Sequence, residues 1–239
     1  MSYNLDPHPG KDDRVLLALL AGLLATLAWA FGLVSWASAQ KLSPAATPAA
    51  ITPPPGNRPF LLGHAVGTQG YTCLPTSTGA SWTVSGSRPE ATLFTGKPGH
   101  VRQIMTHFLS VTTNPNEFAP DPLPFANPTW QSSSDSSKVW GRTLRSIPSG
   151  SDGSCPHAGA IGCLLLQAIG SATGPGGGAI MTQTTFIQRL NTQGGSAPAE
   201  GCSVTSDIGK QVLVPYSANY FFFRRSKALP GKRIRYEFF

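Results

Sequence analysis

Charge is scarce in this chain, and so are the signatures of familiar enzymes. Asp, Glu, Lys and Arg together supply 12% of the 239 residues, which leaves few groups for acid, base or metal chemistry. There is no H-E-x-x-H pair, no G-x-S-x-G elbow, no Walker loop and no strand-linked G-x-G-x-x-G, so the commoner zinc hydrolases, α/β-hydrolases, nucleotide-binding and dinucleotide-dependent enzymes have no anchor in the sequence. Cys-x-x-Cys is missing too, and His157 is the single histidine close in sequence to a cysteine; no metal and no cofactor is expected. A convincing soluble helix is also lacking. Gly at 26 and Pro at 22 are dispersed through most of the chain, a punctuation that helices tolerate poorly and short strands joined by turns accept.

What the chain does have begins at its start. Val15 to Val34 is a run without charge, rich in Leu and Ala, and Ala37-Ser38-Ala39 sets small residues before Gln40. As a helix rising about 1.5 Å per residue, such a run matches a hydrocarbon core of roughly 30 Å. Residues 1–39 are therefore expected as a signal peptide or an uncleaved membrane anchor, and either delivers the remainder to an exported location: secreted, periplasmic or held at the membrane. Residues 40–59, with Pro44, Pro48 and Pro53-Pro54-Pro55, read as an extended Pro-rich linker.

Four cysteines, Cys73, Cys155, Cys163 and Cys202, all follow the apolar run, and an even count on an oxidising side suggests two disulfides. Three connectivities are open. We favour Cys155 with Cys163, which bracket a short loop containing Pro and Gly, and Cys73 with Cys202. On the chain-entropy model the long closure stabilises by about 4 to 5 kcal/mol and the short one by about 2 to 3.

The formal charge of +7 is concentrated at the C-terminus, where Arg224, Arg225, Lys227, Lys232, Arg233 and Arg235 face the single acid Glu237. Residues 224–239 are read as a basic tail that adheres to an anionic surface, with a solvated chain end as the plainer alternative. For an exported chain such a partner is lipid or polysaccharide rather than nucleic acid.

Between linker and tail the pattern is strand-like. Gln69 to Leu74, Ser81 to Ser85, Ala91 to Thr95, Val101 to Ser110, Lys138 to Leu144, Cys163 to Ile169, Ile180 to Leu190 and Gln211 to Phe223 are short β-branched or aromatic runs separated by Gly, Pro and Ser. They predict an all-β fold, an antiparallel β-sandwich or barrel-like domain over residues 60–223, preceded by one N-terminal apolar helix. Thr112 to Pro128, Ser146 to Ala160 and Ser171 to Gly178 break the pattern and are expected as long surface loops.

Gly70-Tyr71-Thr72-Cys73, Asn127-Pro128-Thr129-Trp130, Ile187-Gln188-Arg189-Leu190-Asn191-Thr192-Gln193-Gly194-Gly195 and Val214-Pro215-Tyr216-Ser217-Ala218-Asn219-Tyr220-Phe221 occur in that order. Together they resemble the domain of unknown function 3455 family, exported proteins of bacteria and fungi. The likeness covers about residues 60 to 223 and implies a shape rather than a reaction. His107-Phe108 looks like the family's histidine-aromatic pair, and Asp135 like the acid after the Pro-Thr-Trp phrase. This chain departs from the pattern in having Asn127 where the family shows Gly, Asp135-Ser136-Ser137 for Asp-Gly-Ser, and Gly162-Cys163 for Pro-Trp. It also carries a Pro-rich insertion between His107 and Trp130.

Two candidate sites follow. An imidazole beside a carboxylate can act as a general base, so His107 with Asp135 is the enzymatic candidate, for a hydrolase or isomerase; the plainer reading has His107 hydrogen-bonded mid-strand and Trp130 in the core. Strand alternation puts Gln188, Leu190 and Thr192 on one face and Arg189, Asn191 and Gln193 on the other, a guanidinium with two amides that can hold a carboxylate or sugar hydroxyls. The ligand-binding set is thus Trp130, Gln188, Arg189, Asn191 and Gln193. Three functions are carried forward: a non-catalytic envelope domain binding a polar small molecule or glycan, an enzyme using the His/Asp pair, and a structural protein with a membrane-adhering tail.

Overall fold

The structure is a computed structural model that describes residues 42–84, 90–97, 99–110 and 127–226. The apolar run, the Pro-rich insertion and the tail beyond Ser226 lie outside the described residues, and so do the signal, anchor and adhesion readings placed on them. Among the described residues, no helix is long and apolar enough to cross a membrane. Helical structure there amounts to three single 3-10 turns, at Ala49–Ile51, Met181–Gln183 and Thr205–Asp207.

Nine strands form one antiparallel sheet: β1 (Asn57–Thr76), β2 (Gly79–Thr83), β3 (Glu90–Thr95), β4 (Arg102–Ser110), β5 (Asn127–Ser132), β6 (Lys138–Ile147), β7 (Cys163–Ala172), β8 (Phe186–Gly194) and β9 (Gln211–Arg225). Sandwich and barrel were both open on the sequence; the pairing of β1 with β9 closes the sheet on itself, in the barrel-like sense. At about 3.3 Å per residue the 20 residues of β1 outrun any one neighbour, so it serves three. It pairs with β9 from Asn57 to Thr72, with β3 from His64 to Thr68, and with β2 from Thr72 to Thr76. The ring is therefore β1 and β3 to β9, and β2 extends one overhanging end of β1. Closure needs β1 to run close to β3: a Cβ on Gly67 would sit 2.0 Å from the Glu90 carbonyl oxygen, a distance that admits glycine alone.

Two expectations about elements are corrected. Ile180 to Leu190 is strand only from Phe186, because Met181–Gln183 turns back under the barrel. Asn127 and Pro128, expected in a loop, open β5, which pairs with both β4 and β6. Pro128 is tolerated because the β6 partners begin only at Thr129, so its missing N–H falls on the unpaired side.

The two disulfides pair as favoured, Cys73 with Cys202 and Cys155 with Cys163, with Cα–Cα separations of 5.6 and 5.9 Å. Such bonds persist in oxidising compartments. The interior core holds Leu93, Met105, Trp130, Val139, Leu166, Ile187 and Phe222 among others. A second cluster lies on the outer wall, where Cys155, Cys163, Leu165, Leu190, Phe221 and Phe223 pack with Ile51. Ile51 is fully buried, so part of the stretch expected as an extended linker lies against this wall rather than standing off from it.

Candidate functional site

Alternation decides which side chains enter the barrel. On β1 the inward positions include Ala65, Gln69 and Tyr71, on β8 they are Ile187 and Arg189, and on β9 Tyr216, Ala218, Tyr220 and Phe222. Around Leu93, Met105, Val139 and Ile187 the interior is apolar. Toward the end where β8 finishes and β9 begins it turns polar.

His107 and Trp130 are direct partners on β4 and β5, and their rings stack with centroids 4.3 Å apart and planes 2° from parallel. Tyr220 leans on both, at 5.6 Å from the imidazole and 5.7 Å from the indole. Its hydroxyl lies 3.2 Å from that of Tyr216. Arg189 is the cross-strand partner of Tyr220, so its side chain joins this aromatic group on the same face. One guanidinium nitrogen, Nη2, donates to the Gly162 carbonyl at 2.9 Å, while Nε is buried without an acceptor among the described residues. Tyr71 completes the ring and donates to the Gly195 carbonyl at 2.6 Å.

These groups are tuned by burial and by one charge. Burial lowers the His107 pKa to about 4; the bond to the Thr129 carbonyl opposes that shift and the Arg189 charge adds to it. The imidazole is therefore neutral at pH 7. Since a carbonyl only accepts, the 2.9 Å contact fixes the proton on Nδ1. Burial raises the Tyr71 and Tyr216 hydroxyls, and in both cases Arg189 pulls the other way. The guanidinium thus acts on three of its neighbours, and none of them carries a balancing negative charge.

The structure does not join His107 to Asp135. Asp135 sits in the turn after β5, at the opposite end of the barrel, where Oδ1 accepts from the Ser137 N–H at 3.1 Å and the Ser137 hydroxyl at 2.7 Å, and Oδ2 from the Ile180 N–H at 2.9 Å. Burial pushes its carboxyl up, but the hydrogen bonds from Ile180, Ser137 and Ser132 outweigh that and hold the pKa at about 2. Its observed role is to tie one loop to another. Among the described residues, no three His, Cys, Asp or Glu side chains gather to hold a metal.

The expected face of Arg189, Asn191 and Gln193 does not form, because a bulge between Leu190 and Gln193 resets the alternation. Asn191 takes a φ of 50° and is exposed, and exposed Gln193 reaches His157 Nε2 at 3.2 Å instead. Gln188 points outward and is buried under residues 47–51, donating to the Ile51 carbonyl at 2.6 Å. Trp130, taken from sequence into the binding set with the core as its plainer place, is 1% exposed and part of the core. Of the predicted binding residues, the barrel interior brings Trp130 and Arg189 together around His107 and Tyr220. Gln69 and Tyr71 were missed, although Tyr71 belongs to the Gly-Tyr-Thr-Cys phrase.

Comparison with curated proteins and with solved structures found no match. The sequence model for the family described as Protein of unknown function (DUF3455) matches residues 54–224, from within the Pro53-Pro54-Pro55 run to the penultimate residue of β9. Each of the four phrases noted above contributes an inward side chain to the polar end: Tyr71, Trp130, Arg189, and Tyr216 with Tyr220. With most of its length matched, this chain belongs to the DUF3455 family.

Proposed function

We propose that this protein is a non-catalytic, exported β-barrel domain that binds a polar ligand at the Arg189 end of its interior. One observation carries the reading: a half-buried guanidinium, set among Tyr71, His107, Tyr216 and Tyr220, has no carboxylate partner among the described residues. Holding a charge in low-dielectric surroundings without a partner costs stability, and a ligand that supplies the missing acceptors recovers it. A non-catalytic role is favoured because, among the described residues, His107 meets a backbone carbonyl rather than a carboxylate and Asp135 is spent on loop backbone. The two disulfides support a location on the oxidising side, secreted, periplasmic or held by the N-terminal apolar run.

The test is a ligand-observed NMR screen of the disulfide-intact protein against monosaccharides, hydroxy acids and phosphate esters, repeated with Arg189→Gln. Binding by wild type that weakens at least tenfold in the variant supports the site. Binding unchanged by the substitution places the ligand elsewhere and ends this reading.

A further inference from the structure

Resting on that reading, we infer that the Arg189 site takes a small monoanion, a carboxylate, and discriminates against dianions and neutral sugars. Among the described residues, Arg189 brings one positive charge to the polar interior, and the side chains around it, Tyr71, Tyr216, Tyr220 and the neutral imidazole of His107, bring none. Arg224 and its cross-strand partner Arg58 lie at the far end, where Arg224 donates to Gln183.

A single negative charge balances this site. A dianion would leave one charge buried and unpaired, which is unfavourable in such surroundings. A neutral sugar would leave the guanidinium uncompensated. Donor geometry agrees with charge: of the five guanidinium N–H groups, the Gly162 carbonyl engages one among the described residues, and Nε is unpartnered. A planar carboxylate accepts two parallel N–H bonds from such a fork. The phenols of Tyr216 and Tyr220, 3.2 Å apart, present a second donor beside it. No proton transfer is involved, since a carboxylate is ionised at neutral pH and His107 stays neutral.

Dissociation constants for acetate, benzoate, sulfate and glucose are measured by NMR titration at pH 7.5 and constant ionic strength. The proteins are wild type, Arg189→Gln, Arg189→Lys and the surface control Arg145→Gln. The inference expects acetate and benzoate to bind at least tenfold tighter than sulfate or glucose. Arg189→Gln should then weaken the carboxylates roughly ten- to hundredfold, the range for a lost charge-assisted hydrogen bond. Should Arg189→Gln fail to fold, Arg189→Lys is read instead: it keeps the charge but loses the fork, so carboxylates weaken severalfold while the preference over sulfate survives.

Sulfate or glucose binding as tightly as acetate, and lost in Arg189→Gln, overturns the inference but leaves a site at Arg189. Loss of carboxylate binding in Arg145→Gln also overturns it, by moving the anion to the surface. No binding of any probe, with Arg189→Gln as stable as wild type, overturns both the inference and the function beneath it.

Discussion

At one end of the barrel the turn between β5 and β6 is tied down. Asp135 accepts from Ile180, the Ser137 hydroxyl accepts from the Met181 N–H at 3.0 Å, and Met181, fully buried, stoppers the interior. Arg224 there donates to Gln183 at 2.6 Å and lies over the Phe60 ring. At the other end Arg189 meets one backbone carbonyl and a ring of uncharged aromatics. Nε of both arginines lacks an acceptor among the described residues, so the difference lies in their company. The tied end spends its polar groups on itself, whereas the Arg189 end holds donors in reserve. Ligand sites recur in the mouths of β-barrels, and tying one end shut leaves the other for recognition.

The largest expected effect tests whether the Arg189 end is as short of negative charge as it looks. His107 has a folded pKa of about 4 against roughly 6.5 when unfolded. Between those values the unfolded chain binds a proton that the folded one refuses. Stability is therefore unaffected above about pH 6.5, falls as pH drops through the window, and levels off below 4, for a loss of roughly 3 kcal/mol. Urea unfolding of wild type and His107→Gln at pH 7.5 and 4.5 checks this, and the variant should lose most of the slope. A flat wild-type profile would mean that a carboxylate already stabilises the imidazolium, and the contrast between the ends would collapse.

Next in size is a steric test of the tied end. A Cβ on Gly174 would lie 1.7 Å from the Asp135 carbonyl oxygen, and one on Gly178 would lie 2.4 Å from the Asp135 Cβ, so both loop residues must be glycine for the latch to close. Gly174→Ala should cost about 2 to 3 kcal/mol, the scale of overpacking, in thermal or urea unfolding. A loss under about 0.5 kcal/mol would show that this loop gives way easily and that the stopper is loose.

Removing the latch charge is milder. Asp135→Asn keeps the shape but weakens the bonds to Ser137 and Ile180, for about 1 kcal/mol, since the group is partly exposed and screened by solvent. The folded pKa of about 2 lies below the unfolded value near 3.9, so this contribution is present above about pH 4 and lost as pH falls toward 2. The variant should lack that acid-side slope. Its window lies below that of His107, so one pH series reports on the two ends separately.

Strand content and disulfide pairing were legible in the sequence, because β6, β7 and β9 carry β-branched and aromatic runs and because Cys155 and Cys163 bracket one loop. β5 was not: Asn127-Pro128-Thr129-Trp130-Gln131-Ser132 has a proline and one large apolar residue, so no period shows. That miss left Trp130 without a strand, open to the binding reading and the core reading alike. Ring closure was hidden as well, since it depends on β1 changing partners along its length, a matter of register that local pattern does not encode. At the site Arg189 was legible, but its expected companions were not, because the positive φ at Asn191 ends the alternation that had grouped them. Asp135 misled for a chemical reason. An Asp with a Ser two residues on has the same composition whether it activates a base or closes an Asx turn.

The smallest effect has the opposite sign and lies within the latch. Ser136 takes a φ of 57°, the left-handed region that costs a residue with a Cβ about 1 kcal/mol, and it stands where the family resemblance places glycine. Ser136→Gly relieves that strain but loosens the unfolded chain, so a net gain of about 0.5 kcal/mol is expected in reversible unfolding. Asn191, at a φ of 50° beside the Arg189 end, is the control: asparagine tolerates this region, and Asn191→Gly should change stability little. A gain at Asn191 equal to that at Ser136 would trace both to chain entropy or surface effects. A gain at Ser136 alone would locate the residual strain of this chain in the end it ties shut.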